Sequence, residues 1–293
     1  GSMPSEPASM AASSDSMSPK RLSHTSTSNC FKLGTESTAG FKNIAITNCV
    51  MFKLPGAFRA PISGVAIESV DGGALDGLVA SNLTMRDVGT PIFIRLGNRG
   101  RGMAEPRPGV LQNVSISNVV ATGSLITSSI TGLPGHPVRR VSLDNIRVSM
   151  KGGERMAVSL DVPELPEKYP EAWMFGVLPA YGFYARHIEG LTMRNVQSHW
   201  EEADARPAMV FDDVSELYLD AFQTDVAAGD APLIRLHNTN GAFVRGAKPP
   251  SGAKLLVQVT GERSREIRVG EGFSRDAKPV SAGAEVPASA IIR

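Results

Sequence analysis

Two cysteines, Cys30 and Cys49, are too few to staple a chain of 293 residues, which excludes a disulfide framework. Neither has an activating neighbour in sequence. Both stand where inward-facing strand residues are expected, so they read as buried thiols that behave as small hydrophobes. An excess of one charge is also missing, because 30 Lys and Arg face 29 Asp and Glu. Without a basic excess, neither nucleic acid nor an anionic membrane surface is expected as a partner. No apolar run approaches the ~20 residues of a spanning helix. The histidines, His24, His136, His187, His199 and His237, lack metal-ligand spacing, and Gly97–Gly102 lacks the strand–helix context of a phosphate or dinucleotide loop.

What is present fits a globular chain, with a hydrophobic fraction of 42%. Gly1-Ser2-Met3 reads as a cloning remnant. The residues that follow, through about Thr27, are rich in Ser, Pro, Ala and Met and show no periodicity. They have no apolar segment or cleavage site of a signal peptide. The expected organisation is a tag and a disordered or loosely docked tail over residues 1–28. A single patterned domain follows over 29–293, with a long loop insertion around 150–187.

Within that domain one pattern recurs: apolar, polar, apolar, polar, Asn, apolar. It reads Ile44-Ala45-Ile46-Thr47-Asn48-Cys49, then Leu78-Val79-Ala80-Ser81-Asn82-Leu83, then Val114-Ser115-Ile116-Ser117-Asn118-Val119. Further copies are Val141-Ser142-Leu143-Asp144-Asn145-Ile146 and Leu191-Thr192-Met193-Arg194-Asn195-Val196, with a degenerate one at Leu217-Tyr218-Leu219-Asp220-Ala221-Phe222. The asparagines stand 34, 36, 27 and 50 residues apart. Alternation over four to six residues is a strand signal, and repetition at a few tens of residues is a solenoid signal. Asn tolerates the left-handed region, so it suits a tight corner, and stacked Asn side chains can hydrogen-bond in a ladder. The expected fold is therefore all-β, a right-handed parallel β-helix. Helical repeats are disfavoured by the period of two and by 29 Gly and 20 Pro; a β-sandwich is the structural rival.

Several segments resemble bacterial polygalacturonases, glycoside hydrolase family 28. They are Phe31-Lys32-Leu33-Gly34-Thr35-Glu36-Ser37 with Gly40-Phe41-Lys42-Asn43-Ile44, and Ala66-Ile67-Glu68-Ser69-Val70-Asp71-Gly72-Gly73. Ile92-Phe93-Ile94-Arg95-Leu96-Gly97-Asn98-Arg99-Gly100-Arg101-Gly102 and Gly132-Leu133-Pro134-Gly135-His136-Pro137 follow. Tyr169-Pro170-Glu171, Leu178 through His187, and Asp204-Ala205-Arg206-Pro207-Ala208 complete the series, which covers roughly residues 30 to 225. The resemblance is to the C-terminal part of that family. Its Asn-x-Asp and Asp-Asp motifs would lie upstream of Cys30, Gly-His-Gly does not occur, and Arg95-Leu96-Gly97 has lost the lysine of Arg-x-Lys. The resemblance implies a pectinase-type hydrolase of a uronate- or rhamnose-containing glycan, with an oligo- or polysaccharide as partner. Members of the family are generally secreted or periplasmic.

Glycoside hydrolysis needs two carboxyl groups ~5–10 Å apart. Equivalent positions on neighbouring strands stack about 4.8 Å apart, so carboxylates at successive strand edges can meet that spacing. Glu68, Asp71 and Glu36 are therefore the acid/base candidates. Arg95, Asn98, Arg99 and His136 are the substrate-binding candidates, arginine because it can chelate a sugar carboxylate through two hydrogen bonds. Trp173, Phe175, Tyr181 and Tyr184 either stack on sugar faces or pack the insertion onto the strands. Two other functions stay open: a non-catalytic glycan-binding or assembly module, and a metal-assisted hydrolase of phosphoesters or esters. No cofactor is expected, although His136 with Glu68 and Asp71 could hold a divalent metal. An N-terminally truncated β-helix would expose a strand edge at that end. That edge is expected to be covered by the tail or by a second copy of the chain in an end-to-end homodimer.

Overall fold

A computed structural model describes residues 22–24, 28–270 and 278–292 of the chain. The strands are β1 Leu22–His24, β2 Phe31–Leu33, β3 Phe41–Phe52, β4 Ser63–Ser69, β5 Ala74–Arg86 and β6 Thr90–Leu96. They continue with β7 Val110–Ser124, β8 Ser128–Thr131, β9 Val138–Gly152, β10 Phe183–Glu202, β11 Met209–Thr224 and β12 Ile234–His237. The last are β13 Asn240–Arg245, β14 Leu255–Thr260, β15 Arg265–Val269, β16 Lys278–Ala282 and β17 Ile291–Ile292. The chain is all-β on one long parallel sheet, an arrangement compatible with the expected β-helix. Among the described residues, no helix is long and apolar enough to cross a membrane.

Pairing runs in two series. The first is β2, β4, β6, β8, the start of β10 and of β11, then β12, β14 and β16, each parallel to the next. The second is β3, β5, β7, β9, the remainder of β10 and β11, then β13, β15 and β17. The repeated sequence pattern lies in the second series, with its copies in register. Ile46, Ala80, Ile116, Leu143, Met193, Leu219 and Val244 fall opposite one another. These residues belong to the main apolar core, which also takes in Cys30 and Cys49 as free, buried thiols. Burial pushes the Cys30 thiol up to about 11, which leaves little thiolate at neutral pH.

The asparagines form the expected ladder. Asn82 donates to Asn48 at 3.0 Å, Asn118 to Asn82 at 3.0 Å, Asn145 to Asn118 at 2.8 Å and Asn195 to Asn145 at 3.0 Å. All five have φ between 48° and 59°, the left-handed region in which Asn is among the least strained non-glycine residues.

Residues 153–182, between β9 and β10, form the long insertion, and they lie against the outer face of the first series. There Val162, Ala172, Met174, Phe175, Leu178 and Ala180 bury a second apolar cluster with Ala66, Phe93, Tyr184 and Val210. Each large side chain so buried contributes roughly 2 kcal/mol, enough to hold the insertion as a fixed strap. Phe175 and Tyr184 thus pack, Tyr181 is buried with its hydroxyl donating to the Ser198 carbonyl at 3.0 Å, and Trp173 stays exposed.

At the other end, β1 runs parallel to β3, Leu22 to His24 pairing with Cys49 to Met51. The rest of the expected tail, residues 1–21 and 25–27, lies outside the described residues.

Candidate functional site

The residues singled out in the sequence fall into three places. Glu68, Asp71, Arg95, Asn98 and Arg99 lie on or just after β4 and β6, which pair directly, with Glu68 opposite Arg95. The strap closes over them. Glu68 is 0% and Arg95 1% exposed, because residues 164–171 cover this edge, and Asp71 is 1% exposed, enclosed by Arg99 and Arg101. Glu36 instead sits at the exposed rim, ion-paired to Arg101. His136 is exposed in a short hairpin whose backbone joins it to Leu133 in both directions. Among the described residues, no group of three His, Cys, Asp or Glu is arranged to hold a metal ion.

The covered cluster is paired internally. The Lys32 ammonium lies 3.0 Å from Glu68 and 3.6 Å from Glu171, over the ring of Tyr169. Both Glu68 oxygens are buried without a well-directed hydrogen bond, so the Lys32 contact is an ion pair and little more. Burial pushes the Glu68 carboxyl up to about 7 against the pull of Lys32. For Asp71, burial raises the carboxyl, but Arg99 and the Arg101 amide outweigh it and hold it below the usual range. Arg99 Nε donates to Asp71 at 3.0 Å, and the Arg101 amide does so at 2.9 Å. Arg95 donates to the carbonyls of Gly132 at 3.1 Å, Glu164 at 2.6 Å and Leu165 at 3.3 Å, and it lies over the Phe175 ring. The Asn98 amide donates to the Pro166 carbonyl at 2.7 Å. Arg95 and Asn98 therefore tie down the strap, and Arg99 lies over its Tyr169 ring.

An open site lies farther along the same strand series. Continuing in register from Glu68 and Arg95 leads to Thr131, Arg186, Asp212 and His237. The next residues, His187, Asp213 and Asn238, have φ of 52°, 53° and 49°. His, Asp and Asn are the non-glycine residues that adopt this region most readily, so the turn between the two series is built from polar side chains. Here a cleft of about 300 Å³ is lined by His187, Glu189, Asp213, Asn238, Arg263 and Arg265, with Leu133, Gly135 and Pro137 at one side.

Charge in this cleft is organised around His187. Its Nδ1 lies 2.6 Å from Asp213 and its Nε2 lies 3.0 Å from Glu164 of the strap. Burial alone would lower the imidazole, but these two carboxylates overcome it and hold the ring above its ordinary value. Asp213 is held below the usual carboxylate range by His187 and Arg263, the latter at 2.8 Å. Its neighbour Asp212 is pushed the other way by burial, although Arg186 lies 3.2 Å away. Two adjacent carboxyls thus differ in acidity for stated reasons. Only Asp213 lines the cleft; Asp212 is turned toward Arg186 and the Tyr184 hydroxyl, which donates to it at 3.4 Å.

Sequence reasoning missed Lys32, Glu164, Arg186, Asp212, Asp213, Arg263 and Arg265. Asp212-Asp213 was visible as a pair, and their register with His187 was the signal needed to use it. No family model, curated protein or solved structure matches the chain.

Proposed function

We propose that this chain is a right-handed parallel β-helix of the polygalacturonase type, and that it binds an acidic pectic oligosaccharide in the cleft at the His187–Asp213–Asn238 turn. One observation carries the reading: an open polar cleft with two arginine side chains, set apart from the covered Glu68 cluster. Arg263 is 59% exposed at its side chain, with one guanidinium nitrogen on Asp213. Arg265 donates through Nε to Asn240 at 3.0 Å, which orients its guanidinium. A planar guanidinium matches a uronate carboxylate, and Asn238, Asn240 and Ser215 offer both donors and acceptors to sugar hydroxyls. Glu68 and Asp71 are buried and do not line this cleft, so binding there does not entail cleavage by those two carboxyls.

A hydrolytic reading has one observation in its favour. Carboxyls whose surroundings push their acidities apart are the usual arrangement of a general acid and base, and Asp212 and Asp213 are such a pair. Of the two, Asp213 lines the cleft and would be the carboxyl that meets a saccharide there.

The experiment is calorimetric titration with galacturonate oligomers, run beside an assay for new reducing ends. The expected result is saturable binding that is unchanged in Glu68→Gln and Asp71→Asn. The doubly substituted Arg263→Gln, Arg265→Gln protein should bind at least tenfold more weakly, and no reducing ends should appear. Turnover abolished by Asp213→Asn would establish the hydrolytic reading instead. Turnover abolished by Glu68→Gln, or no binding of any uronate oligomer at millimolar concentration, would overturn the assignment of this cleft.

A further inference from the structure

The strap does more than cover the first strand series, because one of its side chains enters the charge network of the cleft. The Glu164 carboxylate lies between a guanidinium and an imidazole on consecutive residues of β10. It meets Arg186 in a close ion pair and His187 Nε2 at 3.0 Å. Both side chains are braced from behind: Arg186 by Asp212 at 3.2 Å and by the Val162 carbonyl at 2.5 Å, His187 by Asp213 at 2.6 Å. Asp213 is in turn held by Arg263. Glu164 is thus the carboxylate that meets Arg186 and His187 together, from the side opposite their Asp212 and Asp213 partners. Glu164 is also the least buried of the three, its side chain 31% exposed against 10% for Asp212 and 29% for Asp213. Its backbone is anchored independently, since the Glu164 carbonyl accepts from Arg95 at 2.6 Å. The side chain can swing out while the strap stays docked.

We infer that Arg186 and His187 form a carboxylate seat at the edge of the cleft, that Glu164 fills it in the unliganded protein, and that the carboxylate of an acidic sugar takes the seat by displacing Glu164. This rests on the reading of the cleft as a binder of acidic oligosaccharide and adds the device that sets its affinity. A tethered side chain competes at an effective concentration in the millimolar range or above, so an incoming carboxylate must outbid it. The seat selects for a planar carboxylate, because a guanidinium and an imidazole side by side present donors along two directions. A neutral sugar has nothing to offer these two groups once Glu164 has left, and so does not displace it.

The test compares the unaltered chain with Glu164→Ala and Glu164→Gln, using α-1,4-linked trigalacturonate and its methyl ester as probes. Binding is measured by calorimetry, and the His187 ring is followed by nitrogen-15 NMR. Both variants should bind the free acid about tenfold more tightly than the unaltered chain, with the methyl ester gaining nothing. In the unaltered chain the His187 Nε2 signal should move on saturation with the acid. Glu164→Gln keeps the size of the side chain, so the comparison survives if the alanine variant folds poorly. Unchanged or weaker binding in the variants, with binding by the unaltered chain intact, would overturn the seat and leave the cleft assignment standing. No binding by any of the three proteins would remove both.

Discussion

Glu68 carries the most distinctive thermodynamic signature in the molecule. Its carboxyl is fully buried, and its acidity is displaced from the ordinary 4.5 to about 7. A displacement of that size corresponds to ~3 kcal/mol between the two protonation states. The folded chain holds this proton more tightly than the unfolded chain does. The stabilising contribution is therefore whole below pH 4.5 and is lost as the pH climbs through 7. Glu68→Gln puts a neutral side chain of nearly the same shape in the same place, and it cannot ionise. Lys32, which Glu68 and Glu171 together hold protonated against the effect of burial, keeps Glu171 at 3.6 Å as a partner in the variant. Urea unfolding of both proteins at several pH values between 4.5 and 8 isolates the effect, because titrating groups remote from Glu68 cancel in the difference. The variant should gain roughly 3 kcal/mol on the unaltered chain across that window, most of it between pH 5 and 7. A difference that stays flat to within about 0.5 kcal/mol would refute the reasoning, since it would mean that Glu68 meets water or a better partner than Lys32.

Asn118 sits mid-ladder with φ of 53°, donating to Asn82 and accepting from Asn145. Asn118→Ala should cost about 2 kcal/mol, two exposed hydrogen bonds plus the left-handed penalty, and Asn118→Gly about half of that; equal costs in denaturant unfolding would show that the corner makes no conformational demand. Arg95→Met keeps an apolar stem over Phe175 but leaves the Glu164 and Leu165 carbonyls without their donor. It should cost about 3 kcal/mol and raise hydrogen exchange across residues 153–182, and an unchanged exchange pattern there would show that the strap is held by its apolar contacts alone.

How much of this was legible in the sequence depends on which series of strands is considered. The second series carries its register in the chain itself, because period-two alternation and a left-handed Asn recur together, and the ladder follows from them. The first series has no such marker, and the connection between the two series varies in length. Glu68 stands 14 residues before Asn82, Arg95 stands 23 before Asn118, and Arg186 stands 9 before Asn195. Counting back from the asparagines therefore does not align Glu68, Arg95, Arg186 and Asp212, although they occupy one row. That is why the turn of His187 and Asp213 went unread.

The cover over Glu68 did leave a trace. Strands with one face in water alternate, as β5 and β7 do, whereas Ser63-Gly64-Val65-Ala66-Ile67 and Thr90-Pro91-Ile92-Phe93-Ile94 place small or apolar residues at every position. A run without alternation belongs to a strand buried on both faces. Every residue of β4 and β6 is buried, those between the core positions beneath the strap. Ala66 and Phe93 face the same way as Glu68 and Arg95. An outer face that needs Phe93 buried at one position has water excluded at the next, so the patterning that marked β4 and β6 as core strands also argued against Glu68 and Arg95 meeting a solvated saccharide.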